Sequence, residues 1–223
     1  GEAPPLAGRE GVLGEREVKA LLARYGIPVV PERSVRTPAQ AEAAARAFGG
    51  PVAVKGEAPG LVHKSDAGAV RLGVAPEDAA EAFVAVTRAA GAPSALVQPM
   101  APPGLELLVG AKHDPQFGPL VVAGLGGTVS EALEDVAVEL APVTVAEADA
   151  MLSRLRGRAL LGAFRGQPAR DRAAVAEVIA RVAQLAIDAG PRLRELDLNP
   201  VVVYERGCLV LDGAAIVAED GDG

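Results

Sequence analysis

Residues 55–70 gather groups that handle phosphate. Lys55 ends the apolar run Pro51-Val52-Ala53-Val54, so its ammonium stands at the tip of an expected strand. The loop that follows carries Gly60 and Gly68, which let the backbone approach a ligand closely. Between them lie His63, Lys64, Ser65 and Asp66. Backbone N–H groups, two ammonium groups and an imidazole in one loop suit phosphate oxygens. His63, one of two histidines in the chain, can pass a proton or carry a phosphoryl group. Taken singly, Lys55 also reads as a solvated strand-end lysine, and the loop as a surface turn.

Three further constellations carry chemistry. Val97-Gln98-Pro99-Met100 offers apolar surface and backbone groups to a purine, and Glu106 can accept bonds from a ribose or an ammonium group. Either stretch alone is also an ordinary amphipathic strand. Gly124-Leu125-Gly126-Gly127, with Glu131 and Asp135, reads as a turn leading into a helix start that can hold an anion. Last, Glu195, Asp197 and Asn199 alternate along one strand and so share a face, and a hairpin brings Asp212 beside them. Carboxylates and an amide are hard oxygen donors that suit Mg²⁺ shared with the phosphates of ATP. An acidic strand face with no ligand is costly to bury, which favours the metal reading.

The elements that must position these groups follow from periodicity. Apolar residues Val12, Leu13, Val18, Leu21 and Leu22 predict a helix over 9–24, stopped by Gly26 and Pro28. Thr37-Pro38-Ala39-Gln40 and Thr144-Val145-Ala146-Glu147 read as capping boxes. The first opens an Ala-rich helix that ends at Gly49-Gly50. Pro76 starts another helix, ended by Gly91, and 171–189 holds the clearest helical face, with Val175, Val178, Ile179, Val182 and Leu185. Strands are expected at 29–35, 51–55, 69–74, 95–98, 105–112, 119–123, 193–204 and 208–217. The architecture expected is α+β (α/β), two lobes with a cleft at the Pro-rich connection 97–104. Residues 26–98 make one lobe, and 15–25 with 99–223 the other. Residues 1–14 read as a flexible segment, and the whole as an excised piece of a longer chain.

With 223 residues and half of them apolar, the chain has ample material for a core, built from Ala, Val and Leu because aromatics are confined to four Phe and two Tyr. A net charge of −7, without basic runs, argues against nucleic-acid and anionic-membrane partners. Cys208 is alone, so no internal disulfide forms and a reducing, cytoplasmic setting is expected. In a strand-like run it reads as a small core residue.

Taken in order, Val-His-Lys-Ser-Asp-Ala-Gly, Gln98 with Glu106-Leu-Leu-Val-Gly-Ala, Asp114-Pro-Gln-Phe-Gly-Pro, Gly-Leu-Gly-Gly and Glu-Leu-Asp-Leu-Asn-Pro resemble the ATP-grasp domain of ADP-forming acyl-CoA synthetases. A relative of that domain serves as the β subunit of succinyl-CoA synthetase. The resemblance runs from about Glu15 to Val217. It implies an ATP-grasp fold with a nucleotide cleft between two lobes, ATP/ADP and Mg²⁺ as cofactors, and acid-thiol ligase chemistry. The reaction implied is acyl-CoA + ADP + phosphate giving carboxylate, CoA and ATP, with a CoA-binding α-type domain, on the same chain or a separate subunit, supplying a phosphohistidine.

By the same match Lys55, Gly60, Lys64, Ser65 and Gly68 contact nucleotide phosphates, and Gln98, Pro99, Met100 and Glu106 hold adenosine. Asn199 and Asp212 hold Mg²⁺ with Asp197 nearby, and His63 is a phosphoryl relay. The chain departs from the family pattern at Ala69, Glu139 and Ala214. Loss of positive charge at the last two predicts that nucleotide binding is better preserved than phosphoryl transfer. Two alternatives follow: a nucleotide-binding regulatory module of a larger protein such as an acetyltransferase, or another ATP-grasp carboxylate ligase.

Overall fold

A computed structural model describes residues 6–57, 68–127, 135–164 and 166–218. The chain divides into two units, Val30–Pro102 and, from both ends of the chain, Gly1–Val29 with Pro103–Gly223.

The smaller unit is a four-stranded sheet: β2 (Arg33–Val35), β5 (Ala95–Pro99), β3 (Val52–Gly56) and β4 (Val70–Val74), in that spatial order. All its pairings are antiparallel. Helices α2 (Pro38–Phe48) and α3 (Ala79–Ala90) cover one face. Val35, Val52, Val54, Ala95 and Val97 meet Ala41, Ala45, Phe83 and Val86 there in a small core. Thr37 Oγ1 accepts the Gln40 N–H at 3.2 Å, as a capping residue should. The Gln40 side chain, however, accepts the N–H of Arg36 (2.8 Å) rather than that of Thr37, so only half of the expected box forms. Helix α2 ends on Gly49 in the left-handed region. Pro76 opens a single 3₁₀ turn to Asp78, and α3 begins after it.

The larger unit is a seven-stranded sheet. Its order is β1 (Gly11–Leu13), β11 (Ala214–Val217), β9 (Leu193–Val203), β6 (Leu105–Asp114), β7 (Gly118–Leu125), β8 (Val136–Leu140), with β10 (Cys208–Val210) also paired to β9. Helices α1 (Glu15–Arg24), α4 (Val145–Arg154) and α5 (Arg172–Ala189) share its apolar core. Here the full capping box does form: Glu147 N–H donates to Thr144 Oγ1 at 3.3 Å, and Thr144 N–H to Glu147 Oε2 at 2.8 Å. Val175, Val178, Ile179, Val182 and Leu185 are all buried, as the period of α5 requires.

Two expectations shift. The helix expected over 9–24 is a strand followed by a helix: Gly11 takes φ 72°, Val12 and Leu13 pair with Ile216 and Ala215, and the helix starts only at Glu15. Likewise the strand expected over 208–217 is broken, because β10 pairs with the Val201–Val203 end of β9 and β11 with its beginning. Residues 211–213 form the gap. That gap carries Asp212.

Candidate functional site

In the smaller unit the register sorts the sequence-derived residues onto faces. Val52, Val54 and Val97 point into the helix-covered core, so Ala53, Lys55, Leu96 and Gln98 occupy the opposite face. Ala53 pairs with Gln98 and Lys55 with Leu96. The Lys55 and Gln98 side chains thus lie on adjacent strands of the same face, in residues only 5% and 4% exposed. Lys55 is buried, which does not fit the alternative reading of a solvated strand-end lysine.

Pro99 continues β5 opposite Val52. Met100 Sδ accepts the N–H of Gly73 at 3.3 Å, tying the end of β5 to β4. Gly68 adopts φ 65°, where a side chain is strained, whereas its neighbour Ala69 is fully buried and its carbonyl accepts the Gly56 N–H at 2.8 Å. The left-handed demand therefore falls on Gly68, and the alanine substitution sits at an ordinary position. Gly60, His63, Lys64 and Ser65 lie outside the described residues, as does Glu131.

In the larger unit, two constellations that the sequence presents separately come together. Glu106 is exposed on β6, and its carbonyl accepts the Gly126 N–H at 2.8 Å. A Cβ at Gly126 would lie 3.1 Å from the Glu106 carbonyl carbon, and one at Gly127 would lie 3.6 Å from Glu106 Oε2. The glycine turn is thus folded against Glu106, and a side chain at Gly126 would crowd its backbone. Asp135 has a different task from the anion-holding turn expected of it. Its carboxylate is buried and accepts the N–H groups of Arg156 (2.7 Å) and Gly157 (2.8 Å), and it leads into strand β8.

The metal candidates behave as their alternation predicts. Leu196 and Leu198 are buried in the helix-covered core, which puts Asp197 and Asn199 on the other face of β9, both half-buried. Asp197 is flanked in register by Gly110 on β6 and Ala214 on β11, neither of which can overhang its carboxylate. The 211–213 loop runs alongside: Leu211 N–H donates to the Pro200 carbonyl at 3.0 Å, and Gly213 N–H to Asp212 Oδ1 at 2.8 Å. Two carboxylates and an amide on adjoining segments, with small neighbours, fit a hard divalent cation. No cluster of three or more His, Cys, Asp or Glu suited to a metal occurs among the described residues, so the amide of Asn199 matters to the donor set.

Glu139, one of the departures named from the sequence, is paired with Arg154 on α4 at 2.8 Å. Cys208 is buried and its thiol is pushed up to about 11 by burial, which marks it as a core residue. Sequence reasoning passed over one buried pair altogether, Glu15 and Lys19 at the start of α1. Its signal was an acid and a base four residues apart beside Val18 and Leu22.

A family model described as an ATP-grasp domain matches residues 5–217. The chain belongs to this ATP-grasp family. The ATP-grasp chain is 36% identical over 213 residues to the β subunit of an ADP-forming acetate–CoA ligase I of Pyrococcus furiosus, covering 92% of this chain and 91% of that one. It is 38% identical over 207 residues to the ADP-forming acetate–CoA ligase I of Archaeoglobus fulgidus, covering 90% of this chain and 30% of that protein. The chain thus spans under a third of the length of several curated relatives that it matches. In solved structures, an acetyl-coenzyme A synthetase 1 of Ca. Korarchaeum cryptofilum in complex with coenzyme A and Ca-AMPCP matches with TM-score 0.88 and 35% identity, over 94% of each chain. The same enzyme with coenzyme A and Mg-AMPPCP matches with TM-score 0.82 and 35% identity, over 93% of each chain. The mixed helix-and-sheet architecture is that of ATP-grasp proteins, and the chain is similar to the β-subunit part of ADP-forming acetyl-CoA synthetases.

Proposed function

We propose that this ATP-grasp chain is the nucleotide-binding part of an ADP-forming acyl-CoA synthetase, an acid-thiol ligase. In this reading it moves a phosphoryl group between a phosphohistidine and ADP within the conversion acyl-CoA + ADP + phosphate = carboxylate + CoA + ATP. A CoA-binding α-type domain, on the same chain or a separate subunit, completes the enzyme and presents the acyl group. The observation that carries this reading is similarity along the full length of proteins named as β subunits, 91% and 92% of the two from P. furiosus. The solved relative with Mg-AMPPCP supports Mg-nucleotide as the ligand class.

Each residue then has a task. Lys55 meets nucleotide phosphates, and its burial strengthens its effect on an anion because the surroundings are of low dielectric. Gly60, Lys64, Ser65 and Gly68 shape the phosphate loop, and His63 relays the phosphoryl group. Gln98, Pro99, Met100 and Glu106 hold the nucleoside. Asp197, Asn199 and Asp212 would hold Mg²⁺, which when bound neutralises phosphate charge. Asp212 Oδ1 accepts the Gly213 N–H, a local bond compatible with this task. A net charge of −7 supports small-molecule and protein partners over nucleic acid or an anionic membrane. A cytoplasmic setting is part of the proposal and rests on the buried, unbridged Cys208. Among the described residues no helix is long and apolar enough to cross a membrane.

Calorimetric titration with ADP and ATP tests the first half of this reading. Mg²⁺-dependent binding is expected, with Asp212→Ala weakening it roughly tenfold or more. No heat, no thermal shift and an indifferent Asp212→Ala variant would refute nucleotide binding. With labelled ATP and a CoA-binding partner, a phosphoenzyme that disappears in His63→Ala is expected. Nucleotide binding with no phosphoenzyme would favour a regulatory module instead.

A further inference from the structure

Glu15 and Lys19 are buried ionisable groups that none of the steps above uses. Lys19 Nζ lies 2.6 Å from Glu15 Oε1, with the side chains 4% and 0% exposed respectively. A buried ion pair is weak evidence for stability, since desolvation of both charges offsets their attraction. Its place in the fold points to another use. The ladder between β1 and β11 closes at Leu13 opposite Ala215, so the chain enters α1 two residues later beside residues 213 and 214. Residues 15, 18, 19 and 22 share one face of α1. On that face Val18 touches the loop: a Cβ at Gly213 would fall 2.9 Å from Val18 Cγ1 and 3.0 Å from Leu198 Cδ2. The same Cβ would be 3.4 Å from the Asp197 carbonyl oxygen. The buried pair thus lies on the α1 face whose Val18 touches Gly213, the end of the 211–213 stretch where the strand ladder to β9 is interrupted between β10 and β11.

We propose that the Glu15–Lys19 pair is a positioning element for this loop: from α1 it fixes residues 211–213 against β9 and so holds the Asp212 carboxylate alongside Asp197 and Asn199. The inference rests on the Mg²⁺ assignment made above. It gives α1 a part in the metal site through the loop and not by contact with the cation.

The test replaces both charges at once, Glu15→Leu with Lys19→Met, so that neither member of the pair is left buried without the other. Hydrogen exchange of the peptide spanning 209–216 is measured in metal-free protein, and Mg²⁺-dependent ADP binding and melting temperature are measured beside it. The expected result is a fold that melts near or above wild type, faster exchange confined to 209–216, and Mg²⁺ affinity reduced roughly tenfold. Exchange and Mg²⁺ affinity equal to wild type, whatever the melting temperature, would overturn the proposal. Should the double variant fail to fold, Glu15→Gln, which keeps the shape of the side chain, is judged by the same two readouts. The wild-type titration separates the two claims. If it shows no Mg²⁺-dependent binding, the metal assignment fails, while the exchange result in metal-free protein still decides whether the pair orders the loop.

Discussion

Lys55 shows how one buried side chain can decide what a sheet face is for. An ammonium group taken out of water loses several kcal/mol of hydration unless charge or hydrogen bonds compensate it. Gln98 stands on the next strand of the same face, and the two residues are 5% and 4% exposed. Polar groups on a face turned away from the unit's own apolar core favour a ligand-reading role over a packing one. Lys55→Met keeps most of the volume and removes the charge. If Lys55 meets phosphate, the lost charged hydrogen bond is worth about 1.5–3 kcal/mol, or roughly 10–100-fold in Kd for ADP. The melting temperature, measured beside it, separates a loss of binding from a loss of folding. Unchanged affinity by calorimetry would remove Lys55 from the site. Cys208 gives a contrasting residue-scale prediction. Its thiol is raised from an ordinary 9.0 to about 11 by burial, so the folded state keeps its proton where the unfolded state has lost it. That contribution to stability is complete below about pH 9 and disappears as pH climbs toward 11. Urea midpoints across pH 8–11 should fall less steeply for Cys208→Ala than for wild type.

At the scale of elements, Gly56 sets how closely α3 approaches the strand that carries Lys55. A Cβ there would come within 2.5 Å of the Ala90 Cβ and 2.8 Å of the Val86 carbonyl oxygen, both on α3. Gly56→Ala must push helix and strand apart, an overpacking that costs about 1–3 kcal/mol. Gly50→Ala, with nothing within 4 Å, is the control. The first should lower the denaturant midpoint and weaken ADP binding, and the second should leave both near wild type; equal effects would refute the packing argument. The elements that were legible in the sequence are those whose cause is local. Helix α5 announces itself through apolar spacing, and Thr144 with Glu147 caps α4 through groups three residues apart. The alternation of Asp197 and Asn199 with Leu196 and Leu198 likewise reads directly as a face. What escaped depends on distant partners. Val12 and Leu13 look helical until Ile216 and Ala215 pair with them, some two hundred residues later. The break at 211–213 follows from how two short strands divide β9 between them. Glu15 and Lys19, four residues apart on a helix, have the spacing of a surface pair, and it is the packing of α1 into the core of its unit that buries them. The common face of Lys55 and Gln98 was half legible: the residue types were evident, but a shared buried face needs the register of β3 on β5.

At the scale of the whole molecule, the chain accounts for 91% and 92% of the two P. furiosus β subunits but for 30% of the longer A. fulgidus ligase I. A module that recurs both as a subunit and as a third of a larger protein is one whose chemistry is shared with a separable remainder. The proposed reaction makes the same demand. ADP can accept a phosphoryl group only after another site has made one from acyl-CoA and phosphate, and the tasks proposed for the residues of this chain are toward nucleotide and metal, not an acyl thioester. The chain by itself is therefore expected to bind Mg-ADP yet form no ATP from acetyl-CoA, ADP and phosphate. Adding the α-type subunit of a related two-subunit enzyme, or restoring the neighbouring domain of the parent protein, should produce ATP in a luciferase-coupled assay. Asp212→Ala and Lys55→Met should each suppress that signal more than Gly50→Ala does. ATP formation by the chain alone would show that the acyl chemistry lies within these 223 residues and would overturn the division of labour argued here. Binding without any ATP, even with the partner present, would instead match the charge pattern at Glu139, where a carboxylate tied to Arg154 stands in place of a cation, and would identify the chain as a nucleotide sensor.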